Sequence, residues 1–409
     1  MDCMNPVKVL IVDDSALMRS LIGKIIETSE DLSVADKAMN GRFALQKLSH
    51  AEPDVIVLDI EMPEMNGIEF LRERKKLALD IPVVVLSSIA REGARVTMEC
   101  LELGASDFVT KPSGSDSADL HTVARQLVEL LTGFGRQYQR DKKTGRAKKI
   151  PRDKLAAYGA DYLPASPRRE SDRETISPET LATFQRERTT IVDRNAREIR
   201  KPVAVAEKPK PERSPGKIEI IAIGISTGGP SALRDIFSRI DPDLPQPIVV
   251  VQHMPAGFTE EFANSLDRIC PLEVKEAADG DLVKPGRILI APGNRHLEVI
   301  RKPLATIARI TDEPPQNGHR PSVDVLFESV AREFTNRALG IIMTGMGRDG
   351  AVKIRELYKQ GSRTIGQDEA TSVVYGMPKV AWELGGIMEQ VALGDMAAAI
   401  NKYAFEFRP

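Results

Sequence analysis

Short β-branched runs punctuate the first third of the chain. VKVLIV (7–12), DVIVLDI (54–60) and IPVVVLSS (81–88) are continuous apolar segments of strand length. Between and after them come stretches with apolar residues at helical spacing, such as SALMRSLIGKIIETS (15–29) and DLHTVARQLVELLTGF (119–134). Strands alternating with helices predict βαβ units and a parallel sheet covered on both faces. The same alternation resumes at residue 217 with IEIIAIGI, PIVVVQH, RILIAPG and ALGIIMTG. The chain therefore reads as α/β, with one parallel-sheet domain over 1–134 and a second over 217–409. Residues 135–216 break the pattern. KKTGRAKKIPRDK and KPKPERSPGK are charged and proline-containing, and large apolar residues are few, which predicts a linker that is largely disordered. Within it, ISPETLATFQRERTTIVDRNAREI predicts at most a short helix after Pro178.

Composition narrows the picture. A chain of 409 residues, 42% hydrophobic and 28% charged, has room for two packed domains. A net charge of −2 removes the broad electrostatic argument for nucleic acid or an anionic membrane surface. Cys3, Cys100 and Cys270 are few, odd in number and far apart, as reduced thiols are. No apolar run reaches the ~18 residues of a membrane span, and a strand begins almost at once where a signal peptide would stand. The reading is a cytoplasmic protein with no direct membrane insertion.

Parallel sheets put functional groups at the carboxyl ends of their strands. In the first domain those ends carry Asp13 and Asp14, then Asp59, then Ser87, then Lys111. Any one of these acids alone is best explained as a helix cap or a solvated turn. Five such residues at four strand ends make an acidic pocket instead. Clustered carboxylates call for a hard cation such as Mg²⁺, and Asp59 could then attack phosphorus as an anion. Lys111 would hold a phosphoryl oxygen, and Ser87 would bond to the phosphate only once it is present. VKVLIVDDS, DVIVLDIEMPEMNG, VVVLSS and DFVTKP resemble the receiver domains of two-component response regulators over roughly the first 115 residues. The resemblance implies a flavodoxin-like sheet, Asp59 as phosphoacceptor, and Asp13 and Asp14 as the acidic metal pocket, with Glu61 as a backbone metal ligand. It also implies Ser87, Phe108 and Lys111 as switch residues.

In the second domain Gly224, Ser226 and Gly228 fit G-x-S-x-G, a sharp strand-to-helix turn that lifts a hydroxyl clear of a sheet. A serine there needs a base. His253 ends the run PIVVVQH at the functional edge and is the favoured base on placement. His296 leads into LEVI and reads as structural or as part of a substrate rim; His319, in PQNGHRPS, reads as solvated. Asp349 lies in the glycine-rich turn after ALGIIMTG, where an orienting acid and a plain Asp-Gly turn explain it equally well. The order Ser–His–Asp differs from that of α/β-hydrolases, so that fold is not implied. A phosphate cradle at the helix start is the weaker rival, since the lysine of a P-loop is missing.

AIGISTGGP, VVVQHMP, ILIAPGNRHL, RPSVDVLF, IIMTGMGRDGA and GQDEATSVVYGMP resemble the catalytic domain of chemotaxis protein-glutamate methylesterases, over 217 to about 395. The resemblance implies a Rossmann-like domain with Ser226 as nucleophile, His253 as base and Asp349 as orienting acid, and no cofactor in that domain. Thr227 and the backbone at Met346 become candidates for oxyanion stabilisation. It implies a phosphorylation-activated hydrolase that demethylates glutamate γ-methyl esters on methyl-accepting chemotaxis receptors, releasing methanol, and deamidates receptor glutamines. The phosphodonor would be the chemotaxis histidine autokinase, and the receiver would cover the active site when unphosphorylated. The linker is longer than is usual in that family. An inert binding protein is disfavoured by the intact Ser226, His253 and Asp349, and a DNA-binding regulator by the charge balance.

Overall fold

The computed structural model describes residues 5–88, 91–111, 117–156, 158 and 208–409. Its first domain runs β1 (Val7–Val12), α1 (Ala16–Glu27), β2 (Leu32–Ala38), α2 (Gly41–Ala51), β3 (Val55–Asp59), α3 (Gly67–Lys76), β4 (Val83–Ser87), α4 (Arg91–Glu102), β5 (Asp107–Thr110) and α5 (Ser117–Lys143). The helices start where polar side chains satisfy free amides: Ser15 accepts from Met18 N at α1, and Asn66 and Glu69 form a reciprocal capping box at α3. The strands pair in parallel in the order β2-β1-β3-β4-β5, the flavodoxin-like winding. Strands β3 and β4 are buried throughout, as their unbroken apolar runs require.

The segment read as linker is corrected at both ends. Helix α5 continues to Lys143, and α6 (Arg152–Ala156) follows it onto the first domain. Tyr138 and Leu155 are buried in the first domain's core, and the Tyr158 hydroxyl donates to Glu73 at 2.6 Å. Three apolar side chains in a charged stretch are enough to dock it. Residues 208–216 likewise lie on the second domain, where Glu212 N donates to the Lys359 carbonyl and Gly216 N to that of Asn336. The expected helix after Pro178 lies outside the described residues.

The second domain runs β6 (Ile220–Ile225), α7 (Gly229–Phe237), β7 (Ile248–Gln252), α8 (Phe258–Asp267), β8 (Glu273–Glu276), β9 (Arg287–Ile290), β10 (His296–Arg301), β11 (Thr306–Thr311) and α9 (Val323–Phe334). It ends with β12 (Ala338–Ile342), α10 (Ala351–Lys359), β13 (Arg363–Gln367), α11 (Met377–Glu383), β14 (Glu389–Val391) and α12 (Leu393–Glu406). Seven parallel strands lie in the order β14-β13-β12-β6-β7-β9-β8, and β10 and β11 form a separate antiparallel pair. The winding is Rossmann-like with one change: β9 sits between β7 and β8. The order reverses between β6 and β12, so the loops after these strands open a crevice at the sheet's carboxyl edge.

Apolar packing runs without a break from one domain to the other. Met98, Leu101 and Phe108 of the first domain belong to the same buried cluster as Phe258 and Phe262 of the second.

Candidate functional site

The carboxylates of Asp13, Asp14 and Asp59 converge at the ends of β1 and β3, with oxygens within 4.8 Å of one another. Lys111, just past β5, pairs with Asp59 at 2.7 Å, and Ile60 N donates to Asp59 at 2.8 Å. Asp13 accepts from Ser15 N through one oxygen, while its other oxygen is buried without a partner. Burial, reinforced by the charge of Asp59, pushes the Asp13 carboxyl up to about 6. An orphaned, buried carboxylate oxygen inside a carboxylate cluster is the donor set of a hard cation, so these residues fit Mg²⁺. Glu61 lies in the turn after β3 with its side chain exposed, and the role expected of it is one for its backbone carbonyl. The Ser87 hydroxyl turns toward α4, where it meets Thr97 Oγ1 and the Gly93 carbonyl.

Ser226 follows β6 directly. The next turn needs Gly228 in the left-handed region, at φ 79°, and α7 begins at once. Gly345 is required for a different reason: a Cβ there would stand 2.7 Å from the Ser226 Cβ, so only glycine lets the loop after β12 pass the serine turn. His253 follows β7 and hydrogen-bonds through Nδ1 to Ser226 Oγ at 3.1 Å and through Nε2 to Asp349 Oδ2 at 2.9 Å. An ionised carboxylate can only accept, so Nε2 carries the hydrogen and Nδ1 is free to accept from the serine. Burial of Asp349 opposes its charge. Hydrogen bonds from His253, Ser322 and Asn317 outweigh that and hold the carboxyl well below the usual range. The amides of Val323 and Asp324, at the start of α9, also donate to it, at 2.7 and 3.2 Å. A carboxylate at a helix N-terminus is stabilised as an anion. The structure thus brings together the three residues singled out from sequence. Thr227 and Met346 flank the serine turn, and among the described residues their amides donate to no protein acceptor.

The family model described as Response regulator receiver domain matches residues 9–125, and that described as CheB methylesterase matches residues 221–400. The chain is 61% identical over 404 residues to a protein-glutamate methylesterase/protein-glutamine glutaminase of Treponema denticola, covering 99% of this chain and 100% of the relative. It is 58% identical over 407 residues to a similarly named protein of Treponema pallidum, covering 98% of each. The chain belongs to the protein-glutamate methylesterase/protein-glutamine glutaminase family.

In this member of the methylesterase family the receiver sits against the serine turn. Asp107 Oδ2 accepts from Gly228 N at 2.7 Å, and burial pushes the Asp107 carboxyl up to about 7 against the opposing effect of its two amide donors. Phe108 stacks on Phe258 with centroids 4.9 Å apart and planes at 10°. Glu102 pairs with Arg268, and Val373 of the methylesterase domain packs against the receiver core beside α5. Phe108, expected as a switch residue, is therefore also an interdomain contact.

Sequence reasoning placed His319 in solvent, and that is corrected. Its ring stacks on His253 at 3.9 Å and 8°. His296 is fully buried: it accepts from Ser322 N through Nδ1 and donates to the Pro314 carbonyl, which orders the loop ahead of α9. Asn317 and Ser322 were missed, although both donate to Asp349, at 3.0 and 2.7 Å. Gln252, also missed, ties the backbone carbonyls of Ser226 and His253 together. For Asn317 and Ser322 the sequence signal was a polar turn running straight into an apolar helix, and for Gln252 a polar residue closing the apolar run of β7.

Proposed function

We propose that this chain is a phosphorylation-controlled serine hydrolase that demethylates glutamate γ-methyl esters on chemotaxis receptors and deamidates receptor glutamines. The observation that carries the reading is the continuous relay from Ser226 Oγ through His253 to Asp349. In the acylation step Ser226 Oγ attacks the γ-carbonyl carbon and its proton passes to His253 Nδ1. Asp349 stabilises the imidazolium that forms. The amides of Thr227 and Met346 are the donors assigned to the oxyanion. Collapse breaks the ester C–O bond, and methanol departs with the proton from Nδ1. Water then attacks the γ-glutamyl ester, gives a proton to Nδ1, and releases the glutamate side chain as Ser226 is reprotonated. With a glutamine substrate the leaving group is ammonia.

Control is assigned to Asp59, which takes a phosphoryl group from a histidine autokinase. Asp13, Asp14 and Asp59, with the Glu61 carbonyl, would hold Mg²⁺, whose charge offsets that of the phosphoryl group. Lys111 then moves from the Asp59 carboxylate to a phosphoryl oxygen, and Ser87 leaves Thr97 to bond to another. The coupled change at Phe108 loosens its stack on Phe258 and uncovers Ser226. The Asp107–Gly228 hydrogen bond supports this reading, because it ties the receiver to the nucleophile turn itself. Among the described residues no helix is long and apolar enough to cross a membrane; we infer action at the cytoplasmic face of the receptors.

Methanol release from methylated receptor membranes tests the reading. Wild type with Mg²⁺ and acetyl phosphate should be stimulated, Asp59→Asn should not, and Ser226→Ala should be inactive. Equal rates for Ser226→Ala and wild type would remove the hydrolase assignment.

A further inference from the structure

We propose that His319 is a positioning residue of the same site, an aromatic face against which the His253 imidazole is held while it carries the serine's proton. This rests on the hydrolase reading above and extends it.

His253 is held in its own ring plane by two hydrogen bonds, to Ser226 at Nδ1 and to Asp349 at Nε2. Bonds at opposite edges fix the ring along the line joining them. They do little to stop it rocking about that line, and rocking swings the Nδ1 lone pair away from the serine hydroxyl. A contact on the face of the ring opposes that motion. His319 supplies one, nearly parallel and 3.9 Å away.

The platform is itself anchored. His319 and Gln316 exchange backbone hydrogen bonds at 2.9 and 3.1 Å across a tight turn. In that turn Asn317 donates to Asp349 Oδ1 at 3.0 Å and to Asp324 Oδ2 at 2.7 Å. Ser322 donates to Asp349 at 2.7 Å. One loop therefore grips the acid and covers the base, so the two partners across Nε2 are held in register by a single piece of backbone.

The charge state suits the task. Burial, and then the neighbouring His253, lower the His319 imidazole to about 4. It stays uncharged near neutral pH, so it adds no second cation when His253 takes up the proton. The face of a neutral aromatic ring is instead favourable to a cation above it. Nothing in the hydrolytic steps calls on a His319 nitrogen, so a ring of similar shape without nitrogens should serve.

The test compares His319→Ala, His319→Gln and His319→Phe in the full chain, with Mg²⁺ and acetyl phosphate present. Methanol release gives kcat and KM, and the labelling rate of Ser226 by a fluorophosphonate reads nucleophile activation without receptor. Ala should lower kcat and labelling by roughly tenfold, a fraction of what a general base contributes, with KM within about twofold. Phe should recover most of both rates. If Ala does not fold, Gln takes its place, keeping polarity without a ring, and the same gap from Phe is expected. Phe as slow as Ala or Gln, or Ala and Gln as fast as wild type, would overturn the proposal. Ser226→Ala runs alongside: if it still releases methanol, the hydrolase reading has failed, a result independent of the His319 series.

Discussion

Asp107 of the receiver accepts a hydrogen bond, at 2.7 Å, from the amide of Gly228, two residues beyond Ser226. A receiver strand and the serine turn thus share one buried contact, and burial pushes its carboxyl up to about 7 from the 3.8 of an exposed aspartate. Between those values the docked state binds the extra proton. Docking is therefore strongest at low pH, weakens as pH rises through that window, and has lost the whole contribution above about 7. Small-angle scattering of the unphosphorylated chain should show a more extended particle at pH 8 than at pH 6. Asp107→Asn, which cannot ionise, should scatter alike at both.

The stack of Phe108 on Phe258 joins the domains a few ångströms from that contact. Such a pair contributes about 0.5–1.5 kcal/mol beyond the area it buries. Since about 1.4 kcal/mol is a tenfold change in an equilibrium, losing the stack in Phe108→Ala should lower the docked-to-undocked ratio by roughly two- to tenfold. Methanol release without phosphodonor should rise in step. An unchanged basal rate would mean that the stack does not hold the receiver down.

Asp13 gives a prediction about the ion. Its folded-state carboxyl is raised to about 6 from 3.8, so the free receiver loses stability as pH climbs through that interval, and the loss is complete above it. Calorimetry should find that Mg²⁺ raises the melting temperature by several degrees at pH 7.5 and by much less at pH 5. Asp13→Asn should melt higher than wild type without Mg²⁺ and respond little to its addition.

Gly345 offers a purely steric probe. A methyl group there meets Met377 Sδ at 2.5 Å and the Ser226 Cβ at 2.7 Å. Displacing a nucleophile by about 1 Å costs on the order of a hundredfold in rate. Gly345→Ala should therefore lose about that factor in kcat while the receiver still takes a phosphoryl group from acetyl phosphate, measured as acid-labile phosphate.

The strands and the ends they expose were legible because burial on both sheet faces leaves long β-branched runs, and the carboxyl-edge rule then points to Asp59, Ser226 and His253. Asp349 was half legible: an Asp-Gly pair reads as a turn until α9 is seen to aim two amides at it. His319, Asn317 and Ser322 were illegible for a physical reason. Their role depends on how an irregular loop folds back over β7's end, and a polar turn carries no periodicity that records where its side chains land. Asp107 and Phe108 read as part of a receiver motif, and nothing local in DFVTKP tells of a second domain. Tyr138, Leu155 and Tyr158 were lost among charges, since composition averages over a window while docking needs only a few well-placed side chains.

The relay from Ser226 to Asp349 is complete in the same arrangement in which Asp107 grips Gly228. On the control proposed above, a catalyst already assembled against the receiver gains nothing in intrinsic power when the receiver moves away; only the fraction of time it is reachable changes. On that proposal the second domain alone sets a ceiling that neither a phosphodonor nor an interface mutation should exceed. The proposed control could then be retuned at the contact between the domains without touching the reacting groups.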